Sequence, residues 1–308
     1  MRFAVIGAGG IGGYFGGRLA TAGHDVWFVA RGEHLDAIRE EGLLVSSVSG
    51  DFVVRPAFAT SDPAEVGPVD VVLLGVKTWQ VPEVAATLGP LMGPDTVVIT
   101  TQNGVEAPGQ VAAVVGESAV LPGVAKVFTS IEGPGHIQHS GGPGSLSVAE
   151  WDNRPSQRVE RLREALAGAG IPSPVPQDIW VELWAKVLFV EPFGALGAAL
   201  EVTMGELRSP ASRRALLEDT MREVEAVARA RQVDLPDDIA ARTLSFIDQQ
   251  PADATSSLQR DLVAERPSEL DAWTGAIVRL GAAADVPVPI HRVLFEVLKA
   301  RHPGALLG

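Results

Sequence analysis

The chain opens on a strand-forming run, Arg2-Phe3-Ala4-Val5-Ile6, that leads directly into Gly7-Ala8-Gly9-Gly10-Ile11-Gly12. Tyr14, Phe15, Leu19 and Ala20 then recur at helical spacing up to Gly23, and a second strand-like run, Asp25 to Val29, follows. Strand, G-x-G-x-x-G turn, helix and second strand together specify the first βαβ unit of a dinucleotide-binding sheet. Gly7 makes the tight turn, Gly9 lets the backbone approach a pyrophosphate, and Gly12 lets the helix pack closely on the strand. Free N–H groups from Gly10 and Ile11 at the helix start complete a cradle for phosphate.

The tip of the second strand selects the cofactor. An NAD site places an acid there to accept from the ribose 2′-OH. Here the tip reads Val29-Ala30-Arg31-Gly32. A guanidinium suits a 2′-phosphate through its paired donors, so NADP is expected. The competing reading is a solvated arginine, with Glu33 close by.

Composition narrows the class. A chain of 308 residues can bury two domain cores. Cysteine is absent, which excludes disulfides, thiol catalysis and thiolate metal sites. The six histidines show no H-E-x-x-H spacing; the close pair His136 and His139 reads as one face of a polar hairpin. A net charge of −13 argues against nucleic acid and anionic membrane as partners. No run approaches a membrane span, and the opening strand leaves no room for a leader, so a cytoplasmic protein is expected.

Strand and helix alternate through the first half. Val69 to Gly75 and Thr96 to Thr100 read as strands buried on both faces. Val81 to Leu91 reads as a helix interrupted near Gly89-Pro90. Val124 to Ser147 reads as short antiparallel runs, and Gln157 to Ala169 as a helix. Ile171-Pro172-Ser173-Pro174-Val175-Pro176 is a stiff breaker, beyond which the pattern is almost wholly helical. The expected fold is α/β: an N-terminal Rossmann-type doubly wound domain over residues 1–176, followed by an all-α C-terminal domain over 177–308.

Ligands of such sheets bind beyond the carboxyl ends of the strands. Val76-Lys77-Thr78-Trp79-Gln80 and Thr101-Gln102-Asn103-Gly104 sit there. Lys77 is placed to pair with an anion and Asn103 to orient a nicotinamide or a substrate oxygen; a solvated lysine and a plain Asn-Gly turn are the alternatives. Only four lysines occur, so each is less easily dismissed as surface filler. Lys186 shares a helical face with Ile179, Leu183 and Val190. Desolvation there would lower an ammonium pKa and suit it to proton donation, whereas an ion pair with Glu182 would make it structural. Thr255-Ser256-Ser257 opens a helix, so its hydroxyls are either caps or ligands.

With these motifs in order, the chain resembles the ketopantoate reductases (2-dehydropantoate 2-reductases) over essentially its whole length. The shared segments also include Pro134-Gly135, Trp184-Ala185-Lys186, Gly205-Glu206-Leu207-Arg208, Ser256-Ser257 and Glu269-Leu270-Asp271. The resemblance implies that Gly7, Gly9, Gly10, Ile11, Gly12 and Arg31 bind NADP, with Lys77, Asn103 and Glu269 also at the cofactor. It makes Lys186 the general acid, acting with Glu269. Lys77, Asn103 and Ser257 are the implied substrate ligands, and a homodimer is a candidate assembly. The family carries asparagines where this chain has Val190 and Gly194. Positions 186, 190 and 194 rise on nearly one helical face, so both are expected to border the substrate. The change points to a 2-oxo acid more apolar than ketopantoate.

The expected function is therefore NADPH-dependent reduction of a 2-oxo acid to a 2-hydroxy acid. Ketopantoate or a close relative is the expected substrate. A β-hydroxyacid-dehydrogenase-like reductase of another substrate and a non-catalytic NADP sensor are the rivals.

Overall fold

A computed structural model describes residues 1–305 of the chain. They form two compact units, one of Met1–Gln102 with Ala107–Ile179, the other of Asn103–Glu106 with the chain from Trp180 onward.

The first unit is built on a nine-stranded sheet. Its strands are β1 (Arg2–Ile6), β2 (Asp25–Val29), β3 (Leu43–Ser47), β4 (Phe52–Val54), β5 (Phe58–Thr60), β6 (Val71–Leu74), β7 (Val97–Thr100), β8 (Val120–Gly133) and β9 (His136–Val148). They lie in the order β4-β3-β9-β8-β7-β6-β1-β2-β5. The run β8-β7-β6-β1-β2-β5 is parallel throughout. Alternate residues of one strand enter different cores. Phe3 and Val5 join one cluster with α1 (Gly10–Thr21), whereas Ala4 and Ile6 join another with Leu88 and Val111. Burial on both faces is why β1 and β6 read as unbroken apolar runs. The remaining helices of this unit are α2 (Gly32–Glu41), α3 (Val81–Ala85), α4 (Ala107–Val115) and α5 (Gln157–Gly168).

Two expectations change in detail. The helix read over Val81 to Leu91 is the short α3, which ends at Ala85, followed by a separate 3-10 turn, Gly89–Leu91, with Pro90 in its first positions. The broken runs read over 124–147 are one long antiparallel hairpin, β8 and β9, whose irregularities are register shifts such as that between Lys126 and Phe128. His136 and His139 lie on β9, where they pair with Ser46 and Ser47 of β3 at 2.9 and 2.8 Å.

The second unit is helical: α6 (Ile179–Leu200), α7 (Met204–Arg208), α8 (Ala211–Ala230), α9 (Ile239–Asp248), α10 (Ser257–Val263), α11 (Ala276–Ala283) and α12 (Pro289–Arg301). A π-turn, Asp271–Gly275, precedes α11. α6 carries Trp184, Val187, Leu188, Phe193 and Leu196 into the core. It amends one expectation, since its length and apolarity match those of a membrane span. It is, however, mostly buried within the fold. It also holds Glu191 at 0% exposure, the composition of a core helix that serves a polar purpose.

Candidate active site

The glycine turn is shaped as its sequence demands. Gly7 has φ +90°, and a Cβ there would lie 2.9 Å from the Val76 backbone nitrogen. A Cβ on Gly12 would lie 2.1 Å from the Gly7 carbonyl oxygen. No larger residue fits at either position. α1 starts with no side-chain cap and no acid in its first turn. Its N–H groups and positive dipole end are therefore matched to an anion, and the site fits the pyrophosphate of a dinucleotide.

Arg31 stands at the N-cap of α2, directly after β2. Its guanidinium is 73% exposed and lies 3.7 Å from the equally exposed Glu83. Such a surface pair is worth about 0–1 kcal/mol, so Glu83 holds the guanidinium only weakly.

Beyond β6 and β7, a residue that sequence reasoning passed over organises the loops. Gln102 is buried, and its Nε2 donates to the carbonyls of Leu74 and Val76 at 2.9 and 3.0 Å. The Thr101 hydroxyl donates to the same Leu74 carbonyl at 2.6 Å. The segment leading to Lys77 is thereby fixed to the end of β7. The Lys77 ammonium lies 5.7 Å over the Trp79 ring. Glycines 7, 9, 10 and 12, Ile11, Arg31 and Lys77 all belong to the sheet unit.

Asn103, Lys186, Ser257 and Glu269 belong to the helical unit. Two of them meet: Asn103 Nδ2 donates to the buried Glu269 carboxylate at 3.3 Å. The surrounding backbone holds this pair. Gly104 (φ +99°) lies so close to the π-turn that a Cβ would sit 3.0 Å from the Ala272 carbonyl. Arg279 then bridges Glu106 and Asp271, donating to each carboxylate at 2.8 Å. A π-turn inserts an extra residue and re-aims its neighbours; its sequence, Asp271-Ala272-Trp273-Thr274-Gly275, gave no signal of it.

Lys186 lies half-buried on α6, two turns before Gly194. The serine pair divides its duties. Ser256 is the cap of α10, its hydroxyl accepting from the Gln259 N–H at 2.9 Å. Capping is thus satisfied without Ser257.

Position 194 is closely packed: a Cβ on Gly194 would lie 3.1 Å from the Trp273 ring and 3.2 Å from Ser256 Oγ. The indole, 3% exposed, fills the room that an amide side chain would need. A side chain at 194 therefore requires the packed Trp273 ring to shift by a few tenths of an ångström, whereas Val190 is half-buried and already carries a side chain.

One buried network went unforeseen. His291 is 0% exposed. Its Nε2 lies 2.7 Å from Glu191 and its Nδ1 2.6 Å from Glu223. Thr274 of the π-turn donates to the other Glu191 oxygen at 2.8 Å. Glu223 also accepts from the backbone N–H groups of Ile290 and His291. Burial alone would lower the His291 pKa, but the two carboxylates overcome it and raise it to about 9. Burial pushes Glu223 upward, yet His291 and the two N–H groups hold it below the ordinary glutamate value. The sequence signal was a lone acid inside an apolar helix, Phe189-Val190-Glu191-Pro192-Phe193.

Comparison with known proteins places the chain. The ketopantoate reductase PanE/ApbA family model matches residues 3–153, and its C-terminal counterpart matches 178–302. A 2-dehydropantoate 2-reductase of Mesorhizobium japonicum is 30% identical over 94% of both chains. A crystal structure of a PanE/ApbA family ketopantoate reductase from Ralstonia eutropha superposes with a TM-score of 0.90 at 34% identity, covering 99% of each chain. That of a 2-dehydropantoate 2-reductase from Geobacter metallireducens superposes equally well at 29% identity over 97% of this chain and 99% of the other. The chain belongs to the ketopantoate reductase family and is an oxidoreductase acting on a C=O/CH–OH couple.

Proposed function

We propose that the protein uses NADPH to reduce a 2-oxo acid to the 2-hydroxy acid, with ketopantoate or a more apolar relative as substrate. The observation that carries the reading is the Asn103–Glu269 pair, formed in the same unit as Lys186 and Ser257. A non-catalytic nucleotide sensor needs none of these four side chains. A nicotinamide dinucleotide held through its pyrophosphate at the glycine turn would supply hydride to the carbonyl carbon. Lys186 donates a proton to the carbonyl oxygen as negative charge develops there. Glu269 acts with Lys186 and Asn103 at the reacting end, while Lys77 and Ser257 bind the substrate's anionic and polar groups. Initial rates of NADPH oxidation across a panel of 2-oxo acids test the reading. Consumption with at least one of them is expected, and none with any would overturn it.

Arg31 is assigned to the 2′-phosphate because it follows β2 where an NAD site carries an acid, and because its ion pair with Glu83 is exposed and weak. Arg31→Asp is expected to weaken NADPH binding by about 1.5–3 kcal/mol and to spare NADH. Equal effects on the two KM values would remove the NADP assignment.

Val190 supports the apolar substrate. Wild-type kcat/KM for ketopantoate should not exceed that for a 2-oxo acid with a plain branched alkyl chain, since an apolar wall discriminates weakly. Val190→Asn should raise the ketopantoate ratio about tenfold, the equivalent of one good contact. A wild type that strongly prefers ketopantoate would show that its hydroxyl is recognised by other residues.

A further inference from the structure

The first turn of α2 holds a second residue that acts on the glycine turn. His34 lies three residues after Arg31, and both of its ring nitrogens are engaged by backbone groups. Nε2 lies 2.8 Å from the Ala8 carbonyl oxygen, inside the glycine turn. Nδ1 accepts from the Gly135 N–H at 3.0 Å, at the turn joining β8 to β9. An N–H donor at Nδ1 leaves that nitrogen without a proton. The neutral ring then carries its proton on Nε2 and donates it to Ala8.

The hairpin reaches the turn at two further points. A Cβ on Gly10 would lie 2.8 Å from Thr129 Oγ1, and one on Gly9 would lie 3.5 Å from Ile131. Gly135 is itself committed to this arrangement. Its φ is +69°, a Cβ would lie 3.0 Å from Ala37 of α2, and its carbonyl accepts from Leu44 of β3 at 2.9 Å.

We propose that His34 is a positioning residue for the cofactor, pinning the Ala8 carbonyl of the glycine turn to the Gly135 hairpin turn. The proposal rests on reading Gly7 to Gly12 as the nucleotide site. A pyrophosphate bound by backbone N–H groups requires those groups to be aimed before it arrives, because a loose turn must be ordered at the expense of affinity. α2 thus serves two phosphate groups of one ligand, with Arg31 at its cap beside the 2′-phosphate and His34 in its first turn behind the pyrophosphate cradle. Both His34 ring nitrogens are taken up by backbone groups, so its loss should act on nucleotide affinity and leave the chemical step alone.

The test is titration of the full-length protein with NADPH, followed by tryptophan fluorescence, alongside steady-state kinetics. His34→Ala should raise the Kd for NADPH about tenfold, as expected for two lost hydrogen bonds. The kcat at saturating NADPH and the KM for the 2-oxo acid should stay within twofold of wild type. His34→Gln, which can both accept and donate, should recover most of the affinity. His34→Phe, which fills the space without either bond, should not. A His34→Phe protein that binds NADPH like wild type would overturn the proposal, even if the alanine variant folds poorly. If the wild type prefers NADH, the NADP reading fails separately and the same comparison is made with NADH. A wild type that binds neither nucleotide would overturn the reading of the glycine turn itself, and this proposal with it.

Discussion

Lys186→Ala is expected to lower kcat by about 10²–10⁴-fold while leaving NADPH affinity within twofold. The residue is one of four lysines and lies half-buried on the core helix of the helical unit. In the same unit, Asn103 donates to the buried Glu269 carboxylate and Ser257 is free of capping duty. A proton donor must both hold a proton and release it near neutral pH. Arginine keeps the charge but cannot be deprotonated, so Lys186→Arg should fail to restore turnover. Comparing kcat of the three proteins with the NADPH Kd of each checks this. Near-normal turnover in the alanine variant would remove Lys186 from the proton-transfer step.

The largest effect on stability is expected at the buried Glu191–His291–Glu223 network. Glu191→Ala should cost about 2–6 kcal/mol, since it leaves two buried donors, His291 Nε2 and the Thr274 hydroxyl, without their acceptor at about 1–3 kcal/mol each, while Glu223 still pairs with His291. The network should also set a pH dependence. The His291 pKa is raised from 6.5 to about 9, so its contribution is complete below about pH 6.5 and is lost as pH rises through 9. A shift of that size corresponds to about 3 kcal/mol. Glu223 has the opposite sign. Its pKa is lowered from 4.5, so its contribution is present above that value and is lost as pH falls through the lowered one. Thermal unfolding should therefore show highest stability between about pH 5 and 6.5, with an alkaline decline that His291→Gln flattens. A decline that persists unchanged in that variant would mean the loss arises elsewhere. Thr274 and Pro192 give the network a second consequence. Through Thr274 it ties α6, which carries Lys186, to the π-turn that follows Glu269. Within α6, Pro192 removes a backbone bond one residue from Glu191.

What was legible in the sequence was local. β1, the glycine turn, α1 and β2 each follow from a short pattern whose physical cause lies within a few residues. The face of α6 bearing Lys186 followed from helical spacing for the same reason. What was not legible depends on partners distant in the chain. β4 and β5 are three residues long and exist because β3 and β2 offer them pairing edges. Glu191 and His291 lie 100 residues apart, and no local pattern pairs them before the fold buries them against each other. Gly194 was visible as a departure, but its meaning depends on Trp273, which closes the space from another helix. His34 offered no pattern, since both its partners are backbone atoms, in the glycine turn and the β8–β9 hairpin.

The most direct measurement is the rate of NADPH oxidation by the wild-type protein with ketopantoate and with branched-alkyl 2-oxo acids, set against the same rates with NADH. Saturable turnover is expected, faster with NADPH than with NADH, and at least as efficient on the branched-alkyl acids as on ketopantoate. Absence of turnover with every acid and both nucleotides would contradict the assignment of Lys186, Asn103 and Glu269 to a working reductase site.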